Sequence, residues 1–309
     1  MIYTVTLNPA LDKSVNVTDF KIDTVNRVEN TRVEAGGKGI NVSRIIKKLG
    51  FNSKAVCILG GNGGQLFAEK LSDEAIDFEA VFSGGETRTN LKIVDSKNNT
   101  FTDINESGET VNRETVDKTL DYLLEKIKKD DIVVLGGSLP KGADTDTYKI
   151  FITECKIKGA KVFLDADGKA LQNGIEANPF FIKPNIDELS RLFKKQFSGI
   201  EEIKSAAKEL VNGGINTVAV TLGGDGAIIV NKDKALFAKA LPVKVKSTVG
   251  AGDSFVAAVA VATQNGLESF ETLKFAVAVS GAKVTSEGLG FPELSLIDEI
   301  KNSVEIKEI

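Results

Sequence analysis

An acid at position 253 follows a Gly-Ala-Gly run and opens an apolar stretch, in Val249-Gly-Ala-Gly-Asp-Ser-Phe255. Glycines ahead of a helix leave several backbone N–H groups unpaired and aimed at one point, and the helix dipole adds positive potential there. The amides of Gly250, Ala251 and Gly252 therefore make a candidate anion hole. Asp253, in the first turn, is kept ionised by the same field and can accept a proton from a hydroxyl nucleophile. An isolated Asp at such a place would read as a helix cap, but a cap does not require two glycines in front of it.

A second Gly-rich run, Ala35-Gly-Gly-Lys-Gly-Ile-Asn-Val-Ser-Arg44, also precedes an apolar helical pattern. Gly36, Gly37 and Gly39 let a ligand approach the backbone, while Lys38 and Asn41 offer a charge and an amide. The spacing is not a dinucleotide fingerprint, because Val42 stands where a third small residue is needed, and no segment has the Walker A spacing. In Lys183-Pro-Asn-Ile-Asp-Glu-Leu189, Pro184 stops a strand and Asn185 and Glu188 share one face of a beginning helix. That spacing suits water-mediated contacts to Mg²⁺ and equally a capping box with Asn185 as N-cap; the two readings stand side by side. Arg27, Lys38 and Arg88 are cations that could converge on a substrate phosphate. Lys38 and Arg88 rank above Arg27 because they adjoin Gly-rich or turn-forming segments, and a lone surface cation usually faces solvent.

Composition narrows the chemistry further. Histidine is absent from the 309 residues, which removes Ser-His-Asp and Cys-His nucleophiles, imidazole-bound zinc and histidine proton relays. Cys57 and Cys155 are the two cysteines, without CxxC spacing, so neither a disulfide framework nor a thiolate metal cage is expected. A formal charge of −4 with interspersed signs offers no basic stripe for nucleic acid or an anionic membrane. The start of the chain lacks a signal-peptide pattern and the longest apolar run, Phe255 to Ala262, is too short to span a bilayer, so a cytoplasmic location is expected.

The elements that must position these residues follow from apolar periodicity. Ile2 to Leu7, Lys54 to Leu59, Ile132 to Leu135, Lys161 to Leu164, Phe180 to Lys183 and Thr217 to Leu222 read as strands. Glu114 to Lys129 reads as an amphipathic helix with Asn112 as its N-cap. Nearly all-apolar strands alternating with helices imply an α/β fold whose mainly parallel sheet is covered on both faces. Ligands then gather at the carboxyl ends of the strands, where Gly60-Gly61, Gly136-Gly-Ser-Leu-Pro140 and Gly223-Gly-Asp-Gly226 lie. Two polar, strand-like segments, about 11–35 and 87–108, interrupt the alternation and read as a small β-sheet standing off the main domain. Either they are surface hairpins or they form a lid. Residues 1–309 are expected to form a single domain.

Four motifs together carry a resemblance: Gly36-Gly-Lys-Gly-Ile-Asn-Val-Ser43, Lys183-Pro-Asn-x-x-Glu188, Thr221-Leu-Gly-Gly-Asp-Gly-Ala227 and Ser247-Thr-Val-Gly-Ala-Gly-Asp253. In this order they resemble the signatures of ribokinase-like carbohydrate kinases, in the phosphofructokinase B branch, over essentially the whole chain. The resemblance implies a three-layer α/β/α core with a small β-sheet lid. Thr6-Leu-Asn-Pro-Ala-Leu-Asp12, Lys38 and Gly136-Gly-Ser-Leu-Pro140 resemble branch members that act on phosphorylated hexoses. Thr87-Arg-Thr-Asn-Leu-Lys92 and Thr102-Asp-Ile-Asn-Glu-Ser-Gly108 look most like 1-phosphofructokinases, while tagatose-6-phosphate kinases share much of the rest.

By that resemblance Asp12, Gly37, Asn41 and Asn90 would hold sugar hydroxyls, and Lys38, Arg88, Arg27 and Ser138 would receive the substrate phosphate. Asp253 would be the general base, with the amides of Gly250, Ala251 and Gly252 on the transferring phosphoryl group. Asn185 and Glu188 would organise Mg²⁺, and Lys183, Asn185, Thr221, Gly223 and Gly226 would line ATP. Ser247 departs from the Asp that many members carry in a run associated with a monovalent cation, so the resemblance leaves potassium activation open. The implied reaction is phosphorylation of fructose 1-phosphate by ATP. Tagatose 6-phosphate or fructose 6-phosphate are the alternative substrates, and a non-catalytic sugar-phosphate sensor is a more distant alternative. The strand edge near Asn90 to Asn105 would suit a homodimer through the lid.

Overall fold

The computed structural model describes residues 1–288 and 290–309. In chain order the first half runs β1 (Ile2–Thr6), β2 (Ala10–Val17), β3 (Asn30–Gly36), α1 (Lys38–Lys48), β4 (Ser53–Gly60), α2 (Gly61–Asp73), β5 (Phe78–Ser83), β6 (Arg88–Asp95), β7 (Thr100–Asn105), α3 (Arg113–Lys126) and β8 (Ile132–Gly136). The second half continues with α4 (Thr147–Ile157), β9 (Lys161–Asp165), α5 (Gly168–Ile175), β10 (Phe181–Ile182), α6 (Ile186–Phe193), α7 (Ile200–Asn212), β11 (Thr217–Thr221), β12 (Ala227–Asn231), β13 (Ala235–Ala238), α8 (Ala251–Gln264), α9 (Ser269–Lys283), α10 (Leu294–Ser303) and β14 (Ile306–Glu308).

Ten of the described strands form one sheet in the order β14-β13-β12-β11-β10-β9-β8-β1-β4-β5. From β5 to β11 every pairing is parallel, and β12, β13 and β14 add an antiparallel edge. The parallel part follows from its sequence. In β8, Val133 and Leu135 join the core beneath α3 and α4 while Ile132 and Val134 join the core beneath α1 and α8. Both faces are buried, so both alternating sets must be apolar. The expected strands and the helix at 113–126, capped by the Asn112 side chain accepting from Thr115 N, are present. The antiparallel edge of β12, β13 and β14 lies outside the strands expected from apolar periodicity.

Four further strands form a separate sheet in the order β3-β2-β6-β7. β2 pairs antiparallel with β3 and parallel with β6, and β6 pairs antiparallel with β7 across the turn at 95–99. Asp95 holds that turn, accepting from Lys97 N, Asn98 N and Asn98 Nδ2. Cys57 and Cys155 are buried in the cores. Among the described residues, no helix is long and apolar enough to cross a membrane.

Candidate active site

The carboxyl ends of β1, β8, β9 and β10 meet the N-termini of α1 and α8. α1 packs on β1 with no room for a side chain: a Cβ on Gly39 would lie 2.8 Å from the Val5 carbonyl, and Gly37 has φ +127°. Backbone packing thus requires these two glycines independently of any ligand.

Asp253 is buried in the first turn of α8 and accepts from Asn41 Nδ2 at 2.8 Å. Arg44 fixes that amide, donating to Asn41 Oδ1 at 2.8 Å and to the Ala35 carbonyl at 2.9 Å while pairing with Glu74. Burial pushes the Asp253 carboxyl up to about 6, and the neighbouring Asp165 adds to this; Asn41, Lys38 and Lys183 oppose it. The group is therefore ionised at neutral pH yet basic enough to take a proton. Ala251 N, counted with the anion hole in the sequence reading, donates to Thr248 O at 3.2 Å. Among the described residues, the N–H groups of Gly250, Gly252 and Asp253 have no backbone partner.

Asp165, at the end of β9, binds the cations together. Its Oδ1 lies 3.0 Å from Lys38 Nζ and 3.6 Å from Lys183 Nζ. Burial disfavours its charged form, but Lys183 and Lys38 outweigh burial and hold the carboxyl below its ordinary value. Burial likewise opposes charge on Lys38, and Asp165, Glu188 and Asp253 outweigh it, so Lys38 stays protonated. The Lys183 ammonium also abuts α8, since a Cβ on Gly252 would sit 3.4 Å from its Nζ.

A second polar group lies where the small sheet meets β1. Asn90 Nδ2 donates to Asp12 Oδ1 at 2.9 Å, and Arg88 Nη1 donates to Asn90 Oδ1 at 3.3 Å. Arg88 Nη2 donates to the Asn8 carbonyl at 3.1 Å, and Asn8 Nδ2 to Ser138 Oγ at 3.1 Å. Burial pushes the Asp12 carboxyl up against the opposing pull of Asn90 and Arg88. Asp12 also lies against Gly36, where a Cβ would fall 2.0 Å from its Oδ2.

Asn185 and Glu188 form the capping box: Glu188 N donates to Asn185 Oδ1 and Asn185 N to Glu188 Oε2, each at 2.8 Å. Asn185 bridges to Thr221, whose N–H donates to Pro184 O at 3.2 Å. Gly223 is open, with nothing within 4 Å of a Cβ. Gly226 is enclosed instead: its φ is +112° and a Cβ would meet the Ala238 carbonyl at 2.0 Å, so strand packing accounts for it. Arg27 is not brought to the site within one chain. It is exposed in the loop joining β2 to β3, at the far end of the strands from Asp12.

The pfkB family carbohydrate kinase profile matches residues 6–295. The chain belongs to the pfkB family of carbohydrate kinases. Among curated pfkB relatives, the 1-phosphofructokinase of Bacillus subtilis (strain 168) is 37% identical over 97% of this chain and 99% of its own length. A tagatose-6-phosphate kinase of Staphylococcus epidermidis is 35% identical over the full length of both chains. Among solved structures, phosphofructokinase-2 from Escherichia coli in complex with potassium superposes with a TM-score of 0.94, at 30% identity over 98% of each chain.

Membership in the pfkB family makes this chain a phosphotransferase with an alcohol acceptor, and three residues in its site escaped the motif reading. Asp165 ends an apolar strand, a position that was itself a signal, since strand carboxyl ends collect ligands. Arg44 closes the run Ala35 to Arg44, where nothing but its contact with Asn41 gives it a role. Lys283 lies in no motif, yet its Cε would be 3.3 Å from a Cβ on Gly250.

Proposed function

We propose that this pfkB kinase transfers the γ-phosphoryl group of ATP to the 6-hydroxyl of D-fructose 1-phosphate, giving ADP and fructose 1,6-bisphosphate. The observation that carries this reading is the buried, ionisable Asp253 at the amide-lined head of α8, held by Asn41 at 2.8 Å and flanked by Lys183. Asp253 takes the hydroxyl proton as the sugar oxygen bonds to the γ-phosphorus. The bond to the bridging oxygen breaks and ADP leaves with that electron pair. The N–H groups of Gly250, Gly252 and Asp253 stabilise charge on the transferring oxygens.

Asp12, Gly37, Asn41 and Asn90 are assigned to the sugar, and Lys38, Arg88 and Ser138 to its phosphate. Lys183, Thr221 and Gly223 are assigned to the nucleotide, and Gly226 to the strand packing that holds their loop in place. Asn185 and Glu188 fit Mg²⁺ held through water, because the capping box engages only one Glu188 carboxylate oxygen. When bound, Mg²⁺ neutralises charge on the nucleotide phosphates. The small sheet acts as a lid that excludes water as a competing acceptor.

The substrate choice rests on the 1-phosphofructokinase relatives and on the run Thr87 to Lys92; the tagatose-6-phosphate kinase relatives make tagatose 6-phosphate the main competitor. ADP release should be fastest per unit concentration with fructose 1-phosphate when it is measured beside fructose 6-phosphate and tagatose 6-phosphate. A higher kcat/KM for tagatose 6-phosphate would reassign the substrate and keep the chemistry.

The lid is also proposed to pair two copies of the chain. β7 is an edge strand exposed along its length, with Phe101 72% and Ile104 53% exposed, and the β2–β3 loop exposes Ile22 at 88% and Val25 at 85%. An open strand edge beside unpartnered apolar side chains favours self-association. Light scattering after size exclusion should give a dimer that Phe101→Asp weakens; a monomer across micromolar concentrations would contradict the pairing.

A further inference from the structure

Lys283 occupies the last turn of α9, where a lysine usually serves the helix dipole from solvent. Here it is 2% exposed. Among the described residues, it donates to the Gly288 carbonyl at 2.8 Å, and no carboxylate lies within salt-bridge distance. Isolating an ammonium in the interior is costly, and such a charge is normally completed by an anion. Burial lowers its proton affinity, while Asp253 and Glu34 oppose that effect.

Its position is built, not incidental. The loop after α9 is tied to the segment before α8 by Lys246 N and Ser247 N, which donate to the Val284 carbonyl at 2.8 and 3.2 Å. A Cβ on Gly250 would lie 3.3 Å from Lys283 Cε and 3.9 Å from Nζ, while one on Gly252 would lie 3.4 Å from Lys183 Nζ. Two buried lysines thus bracket the Gly-Ala-Gly run from opposite ends, beside amide N–H groups that have no backbone partner among the described residues.

We propose that Lys283 is a further catalytic residue, whose ammonium contacts an oxygen of the nucleotide's transferring phosphoryl group from the Gly250 side. This rests on the kinase reading above. A fixed cation at the point where charge develops stabilises the transition state more than the ground state, so its removal should act on kcat more than on sugar-phosphate binding.

Lys283→Gln removes the charge and keeps a donor for the Gly288 carbonyl, and Lys283→Ala leaves room for a small cation. With fructose 1-phosphate and ATP, Lys283→Gln should lower kcat on the order of 10²-fold with the KM for the sugar phosphate within about twofold. Ammonium chloride should restore part of the Lys283→Ala rate and none of the rate of Asp253→Asn. A folded Lys283→Gln with kcat within about threefold of wild type overturns the proposal. So does a loss in both variants that ammonium fails to relieve, because the lysine would then be structural. Wild type that releases no ADP from any phosphohexose overturns the kinase reading itself; an active wild type indifferent to Lys283→Gln overturns only this inference.

Discussion

Asp253→Asn is expected to lower kcat by roughly 10²–10⁴ while sugar-phosphate affinity and fold are retained. Asparagine has the shape of aspartate and still offers an oxygen to Asn41 Nδ2, now 2.8 Å from the carboxylate. It cannot take a proton. The substitution also removes a buried charge that burial and Asp165 disfavour, so thermal stability should hold or rise. Coupled ADP release gives the rate, and calorimetric titration with fructose 1-phosphate gives the affinity. Turnover within about tenfold of wild type would mean that the proton leaves by another route.

Asp165→Ala should destabilise the chain by about 3–5 kcal/mol and abolish useful turnover, because it strips a buried anion from two lysines. Lys183 is 5% exposed, so its ammonium cannot easily regain water, whereas Lys38, with 34% of its side chain exposed, can. Urea unfolding measures the loss. Adding Lys183→Met should recover part of the stability and none of the activity, since the uncompensated charge is removed but the cation is not restored. A cost below about 1 kcal/mol for Asp165→Ala would show that the lysines are held by something else.

Much of this was legible in the sequence because burial on both faces forces strands to read as continuous apolar runs, and because glycines mark where α1 and α8 begin. Asp253, Lys38 and Asn41 lay inside those marks. For Asp165 the one signal was its place at a strand's carboxyl end, after Phe163-Leu164; its partners Lys38 and Lys183 arrive from distant segments and no local run shows them. Lys283 was hidden for the converse reason: a lysine in the final turn of a helix is ordinary, and only tertiary packing turns it inward. The Asn185 and Glu188 spacing supported capping and metal binding alike, and the capping box is present. Arg27 shows the limit of pattern reading, since cations in one sheet's segments need not share one end of it.

The pH dependence of kcat, followed from about pH 5 to pH 9 with both substrates saturating, tests most directly whether Asp253 is the working base. With its carboxyl pushed up to about 6, the rate should rise with pH through that value and level off above it. The residual rate of Asp253→Asn, in which the substrate phosphates still titrate, should lack that rise. A wild-type rate already level at pH 5, or the same acid limb in Asp253→Asn, would contradict the mechanism.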